Sequence, residues 1–324
     1  MPRDHTIRIV SDIHFAGAAE LAREDYEAGI IGNPLLRLGV RAYRDFIWLR
    51  APFRHNDLLD QVLEAPGAPD WVVANGDYSC DSAFVGVSDP AARASALECL
   101  GRLRARFPEN LRLVIGDHEL GKTSLVGGAG GMRLTSWDYT VGDLALKPFW
   151  HAEVGRYVLL GVTSSLLALP VYEPDTLAPE RPAWQELRAA HVAEIAGAFR
   201  ALRPEQRVLL FCHDPSALPF LWNETAVREK IGQVERTIIG HLHSRSVLNF
   251  SRVLSGMPAV GFLGNTVRRL STALREARAW RTFRVLLCPS LTGVELFKDG
   301  GFYTAHVDLD ARRPAQFEFH PIRR

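Results

Sequence analysis

Short β-branched or apolar runs recur along the chain, and each stops at a cluster of Asp, His, Asn and Gly. Ile7-Arg8-Ile9-Val10 leads into Ser11-Asp12-Ile13-His14, and Trp71 to Ala74 into Asn75-Gly76-Asp77. Leu111 to Ile115 stops at Gly116-Asp117-His118-Glu119, Val208 to Cys212 at His213-Asp214-Pro215, and Thr237 to Ile239 at Gly240-His241-Leu242-His243. Runs that are continuous rather than alternating suit strands buried on both faces, as in α/β sheets. Tyr157 to Val162 reads as a further strand. Between the runs, Pro90 to Phe107 and Pro182 to Leu202 carry helical patterns, the second closed by Arg203-Pro204. Near the C-terminus, Arg284 to Cys288 and Val294 to Leu309, turning at Lys298-Asp299-Gly300-Gly301, predict a β-hairpin. With no internal repeat and no low-complexity linker, a single domain over residues 1–324 is expected, with insertions at about 16–55 and 244–284.

The five strand ends supply Asp12, His14, Asp77, Asp117, His118, His213, His241 and His243. In open α/β sheets the carboxyl edge is where sites form, because strand ends converge there while loops stay free to vary. A lone His after a strand is usually a structural or surface residue. Five of the chain's 11 histidines at such ends, beside three aspartates, point instead to a common site. Imidazole and carboxylate suit Mn, Fe and Zn, and Asp-x-His or His-x-His sets two donors on one side of an extended segment. The rest of the composition is ordinary for a globular protein, 47% hydrophobic and 23% charged. It excludes disorder, collagen and coiled coil. A net charge of +1 argues against a general nucleic-acid binder.

Taken in order, Asp12-x-His14, Gly76-Asp77, Gly116-Asp117-His118-Glu119, His213 and Gly240-His241-x-His243 resemble the five signature blocks of the calcineurin-like metallophosphoesterase superfamily. The resemblance implies an α/β fold, a four-layer αββα sandwich of two mixed sheets flanked by helices, with two divalent or mixed-valence ions (Mn, Fe or Zn). It assigns Asp12, His14 and His243 to the first metal, Asp117, His213 and His241 to the second, and Asp77 to both. His118 would stay off the metals and assist the leaving group, while a metal-bridging hydroxide attacks a phosphodiester or phosphomonoester in line. The third block normally reads Gly-Asn-His, and here Asp117 replaces the Asn. A third carboxylate makes the site neutral, which favours cation retention over Lewis acidity and suits an Fe(III)–divalent pair. Cys80 lies where purple acid phosphatases carry an iron-binding Tyr, although a free Cys is most often simply buried.

Lys122 and Asn75 are candidate substrate contacts, while Asn75 and Asp81 also read as residues that orient ligands or shape turns. Gly116 to Thr123 satisfies the P-loop expression GxxxxGK[ST], but Asp117 and Glu119 would place two negative charges in a phosphate cradle. A catalytically silent scaffold on the same fold is the other alternative, and the complete ligand set argues against it. Asn33 to Arg54 carries five arginines against Asp45, with Leu36, Val40, Tyr43 and Ile47 at helical spacing. Ser244 to Arg284 holds eight arginines against Glu276. These segments predict lid elements, or a cap that gathers an anionic or lipid-like substrate or lies on a membrane surface. Four cysteines without a CxxC pair, no leader-like apolar stretch and no apolar run near ~18 residues make a cytoplasmic protein the expectation, with peripheral membrane contact an option that only the cap reading adds.

Overall fold

A computed structural model describes residues 4–23, 26–126, 128–253, 256, 275 and 279–322. Ten strands form two mixed five-stranded sheets, β10-β9-β1-β2-β3 and β4-β5-β6-β7-β8. The strands are β1 His5–Val10, β2 Trp71–Ala74, β3 Leu111–Leu113, β4 Phe149–Val154, β5 Tyr157–Val162, β6 Arg207–Cys212, β7 Val234–Ile239, β8 Val285–Leu287, β9 Gly301–Val307 and β10 Gln316–Pro321. β1, β2 and β3 run parallel, as do β5, β6, β7 and β8. Antiparallel β9 and β10 extend the first sheet, and antiparallel β4 edges the second.

Side-chain alternation explains the layering. Ile7 and Ile9 of β1, Val73 of β2, Leu159 of β5 and Leu209 and Phe211 of β6 meet in one buried cluster between the sheets. Their neighbours Val10, Val72, Ala74, Leu160, Val208 and Leu210 face outward and pack with helical side chains. Among those are Leu100 and Leu103 of the Pro90–Arg106 helix, and Trp184, Ile195 and Phe199 of the Arg181–Arg200 helix. Both faces of the central strands are thus buried, as continuous apolar runs require. The Pro90–Arg106 helix begins where it does because Asp89 accepts from Ala92 N at 3.0 Å and Pro90 occupies the first turn. Buried Arg8 donates to the carbonyls of Val62 and Pro66, at 3.1 and 2.9 Å, closing the Asp57–Glu64 helix that precedes β2.

The C-terminal hairpin differs from expectation. Val285–Leu287 joins β7 in the second sheet, whereas Gly301–Val307 pairs with β1 and with β10 in the first. Val294 to Lys298 forms a turn, its Val294 carbonyl accepting from Phe297 N and Lys298 N. The Asp299-Gly300-Gly301 turn chemistry therefore serves a crossing between sheets, and the true hairpin is β9–β10.

The first insertion folds as short helices, chiefly Pro34–Tyr43 continued by a π-turn over Arg44–Trp48. The second begins as the Arg245–Val253 helix. Leu254, Phe262 and Leu263, apolar residues further along this segment, lie outside the described residues. No helix among the described residues is long and apolar enough to cross a membrane.

Candidate metal centre

Parallel strands bring the polar blocks to one edge. Asp12 and His14 follow β1, Asp77 follows β2, and Asp117 and His118 lie just past β3. From the other sheet His213 follows β6, and His241 and His243 follow β7. The ladder continues past the β1 and β2 ends: Asp12 N donates to Gly76 O at 3.2 Å, and His14 N to Asp77 O at 3.0 Å. The sheets are tied across the edge by an isolated parallel bridge between Ser11, just past β1, and Ser290, past β8. Asp12, His14, Asp77, His241 and His243 all take left-handed backbone, with φ of 51°, 51°, 61°, 58° and 59°. That conformation costs roughly 1–3 kcal/mol per non-glycine residue, so the surrounding fold enforces it to turn each side chain inward. Two glycines permit the crowding. A Cβ on Gly240 would overlap Ser11 Oγ and Asp12 Oδ2, and one on Gly116 would overlap Asp77 Oδ1.

The donor atoms converge in overlapping groups whose members lie within 4.8 Å of one another. Asp12, His14 and His243 form one, and Asp117, His213 and His241 another. Asp77 belongs with Asp12 and His213 and also with His14 and His118, so it touches both ends of the cluster. His213 Nε2 is 3.2 Å from both Asp77 Oδ2 and Asp117 Oδ1, and His243 Nε2 is 3.3 Å from Asp12 Oδ1. His241 turns Nδ1 to Asp117 Oδ1 at 3.0 Å and Nε2 toward Asp214.

Imidazole orientation tests whether cations fit. The Nδ1 atoms of His14 and His213 lie on the carbonyls of Ser79 and Asn75, at 3.3 and 2.6 Å. Donation there leaves each Nε2 lone pair facing the cluster, the arrangement of metal-binding histidines. His14 Nε2 and His243 Nε2 face each other at 3.2 Å, so one cation would find both nitrogens within reach. Electrostatics agree. Burial, and then neighbouring His243, push His14 down to about 3. Burial likewise lowers His213 and His241, but Asp77 and Asp12 overcome it to hold His213 well above the usual imidazole range. Asp117 and Asp214 in turn lift His241 to about 9. Burial would raise Asp12 and Asp117; nearby imidazoles reverse this and hold both low. Three buried carboxylates thus impose a negative field that favours cations.

His118 sits beside this cluster, its Nε2 3.7 Å from Asp77 Oδ2 and its Nδ1 2.9 Å from Ser79 O. Lys122, a candidate substrate contact, turns inward: Nζ lies 2.6 Å from His118 Nε2 and 3.3 Å from Cys80 O. Asn75 is placed differently. Its side chain is wholly buried and its amide makes no hydrogen bond, while its carbonyl holds His213. Cys80 Sγ donates to His14 O at 3.0 Å, and burial pushes its thiol well up. Asp81 shapes the adjoining loop, accepting from Gly86 N at 2.8 Å. The P-loop alternative does not survive: Asp117–Leu120 is a single helical turn ending at Gly121, and Asp117 points at His213 and His241.

Three further groups escaped the strand-end reading. Glu119 accepts from Gly116 N, Asp77 N and Tyr78 N at 2.8, 3.1 and 2.8 Å, fastening the second block to the third. Burial and the Asp77 charge push its carboxyl up to about 8. Its position three residues after Gly116 is the spacing of a capping box, a signal present in the sequence. Trp48 packs on His243 with ring centroids 5.0 Å apart. Arg44 pairs with Glu27 at the wall of a cavity of about 610 Å³ that opens from the donor cluster. Nothing local marks these last two, because the first insertion must fold back before they reach the site.

Clustered carboxylates and imidazoles at the joined edges of two sheets define a metal-dependent hydrolase centre. The family model for calcineurin-like phosphoesterases matches residues 5–245, and the chain belongs to that family. No curated protein matches it in sequence. Among solved structures, a dimetal phosphatase from Danio rerio is 14% identical with a TM-score of 0.47, covering 94% of this chain and 93% of that one. The phosphopantetheinyl hydrolase of Mycobacterium tuberculosis is 18% identical with a TM-score of 0.38, covering 75% of this chain and 84% of that one.

Proposed function

We propose that the protein hydrolyses a phosphodiester or phosphomonoester by direct in-line attack of water on phosphorus, using two cations held by Asp12, His14, His243, Asp117, His213 and His241, with Asp77 shared. The observation that carries this reading is the position of Asp77 within reach of donors from both three-residue groups. When bound, the cations supply Lewis-acid polarisation of the phosphoryl oxygens and a water of lowered pKa. The chain itself holds the proton that the departing oxygen needs. Burial keeps His118 neutral, its Nδ1–H is committed to Ser79 O, and the Lys122 ammonium donates to Nε2. The proton between Nζ and Nε2 passes to the leaving alkoxide, so His118 positions it and Lys122 replenishes it. Turnover of bis-p-nitrophenyl phosphate or p-nitrophenyl phosphate with Mn²⁺, abolished by chelator, tests the function. A purified protein inert on both would instead support a non-catalytic scaffold.

Leaving-group chemistry separates the Lys122 role from simple packing. Lys122→Met should slow release of an alkoxide by ~10²-fold, the usual worth of general acid catalysis. It should barely affect p-nitrophenolate, which departs without a proton. Paired rates for an alkyl and a p-nitrophenyl ester of one phosphate decide the matter; equal losses would assign Lys122 to binding or packing.

A further inference from the structure

Large apolar side chains that the described residues leave exposed concentrate in three segments around the cavity mouth. In the Pro34–Tyr43 helix and its π-turn, Tyr43 and Ile47 line the cavity, whereas Leu35, Leu38 and Phe46 lie on the adjoining outward stripe, 79%, 65% and 72% exposed. Phe250 of the Arg245–Val253 helix is 65% exposed, and Leu296 and Phe297 of the turn before β9 are also open to solvent. These three segments form one rim. Leu296 N donates to Ile47 O at 3.2 Å and Glu295 N to Trp48 O at 2.7 Å, and Ile47, Phe250, Leu296 and Phe297 line the same cavity. The cavity floor holds His14, Asp77, Asp117, His118 and Lys122, so an apolar wall runs from the phosphoryl position to the surface.

Cations outnumber carboxylates on the rim. Arg41, Arg50, Arg54, Arg245 and Lys298 are exposed there, against exposed Asp45 and half-buried Glu295 and Asp299 among the described residues. Exposed apolar groups among cations fit a lipid surface with anionic headgroups, which accepts both at once. A small hydrophilic phosphate ester, itself an anion, would use the cations but not the apolar surface.

We propose that the substrate is an amphiphilic phosphate ester drawn from an anionic lipid surface, its phosphate at the donor cluster and its apolar part along Trp48, Ile47, Phe250 and Leu296, with Leu35, Leu38 and Phe46 resting in the lipid. The proposal rests on the phosphoesterase reading above. Two measurements test it. Wild-type protein should co-float with phosphatidylcholine vesicles containing phosphatidylglycerol, and Leu38→Glu/Phe46→Glu should weaken that binding by ~tenfold or more. With Mn²⁺, dodecyl p-nitrophenyl phosphate should be turned over with kcat/KM ~tenfold or more above methyl p-nitrophenyl phosphate, since each buried methylene adds affinity. The double variant should match wild type on the methyl ester, because neither side chain lines the cavity. Absence of co-flotation, or equal efficiency on the two esters, overturns the proposal. Should neither diester be hydrolysed, p-nitrophenyl phosphate separates a monoesterase, which turns it over, from failure of the phosphoesterase reading, and flotation, which needs no turnover, still decides the surface.

Discussion

Asp77→Asn should lower kcat/KM on p-nitrophenyl esters by ~10³-fold or more, because it removes the carboxylate that lies among donors of both ends of the cluster, Asp12 and His14 on one side and His213 on the other. Two cations in one buried pocket repel, and a shared negative charge offsets that repulsion. The substituted amide keeps one oxygen and the shape but loses the charge, so bound metal should fall together with the rate. Asp117→Asn is the same change of atoms with a different expected result. Asp117 belongs to one group only, contacting His213 Nε2 at 3.2 Å and His241 Nδ1 at 3.0 Å. An amide oxygen there still serves as a donor, as the usual Asn of this family block implies. Cation affinity tracks ligand charge, so retention should weaken by about tenfold while turnover per bound cation holds or rises. Metal content after gel filtration, read beside the rate, compares the two variants. If Asp117→Asn matches wild type in both, the third carboxylate has no functional consequence; if Asp77→Asn retains full activity, the shared-ligand geometry is wrong.

What the chain displays locally is the part of this site that could be read without coordinates. Each central strand is a short buried run, and each ligand block begins at the next residue or two, so strand, edge and donor appear together in one stretch of sequence. The left-handed backbone at Asp12, His14, Asp77, His241 and His243 is less visible, since no glycine stands at those positions to announce it. Half-buried edge strands were equally quiet. In β4, Trp150, Ala152 and Val154 are buried while His151 and Glu153 are exposed, and β10 is partly exposed along its length. The pairing of β8 with β7 and of β9 with β1 is non-local, which is why turn residues at 298–301 suggest a hairpin that does not form. Lys122 shows the same limit at the site. Only the break of the helical turn at Gly121, with φ of 105°, returns its ammonium to His118.

Glu119→Ala should cost roughly 3–5 kcal/mol of stability, because it strips the acceptor from three buried amides at once. Few single substitutions reach that size, and those that do leave buried polar groups without partners. The penalty extends to turnover. Gly116 N and Asp77 N share Glu119 Oε2, so that one oxygen sets the distance between the turn carrying Asp117 and His118 and the turn carrying Asp77. A shift of the order of 1 Å between reacting groups costs about 10²-fold in rate, and a comparable loss is expected here even in molecules that remain folded. Glu119→Gln separates the two effects. The amide fills the space and retains one acceptor oxygen, which satisfies most donors when it serves Gly116 N–H and Asp77 N–H and leaves its NH₂ opposed to Tyr78 N–H. It should therefore fall between wild type and alanine in denaturant midpoint, while keeping most of the activity that alanine loses. An alanine variant with an unshifted midpoint and undiminished turnover would mean that solvent or a neighbouring side chain satisfies those amides, and that the two blocks are positioned by their strands alone.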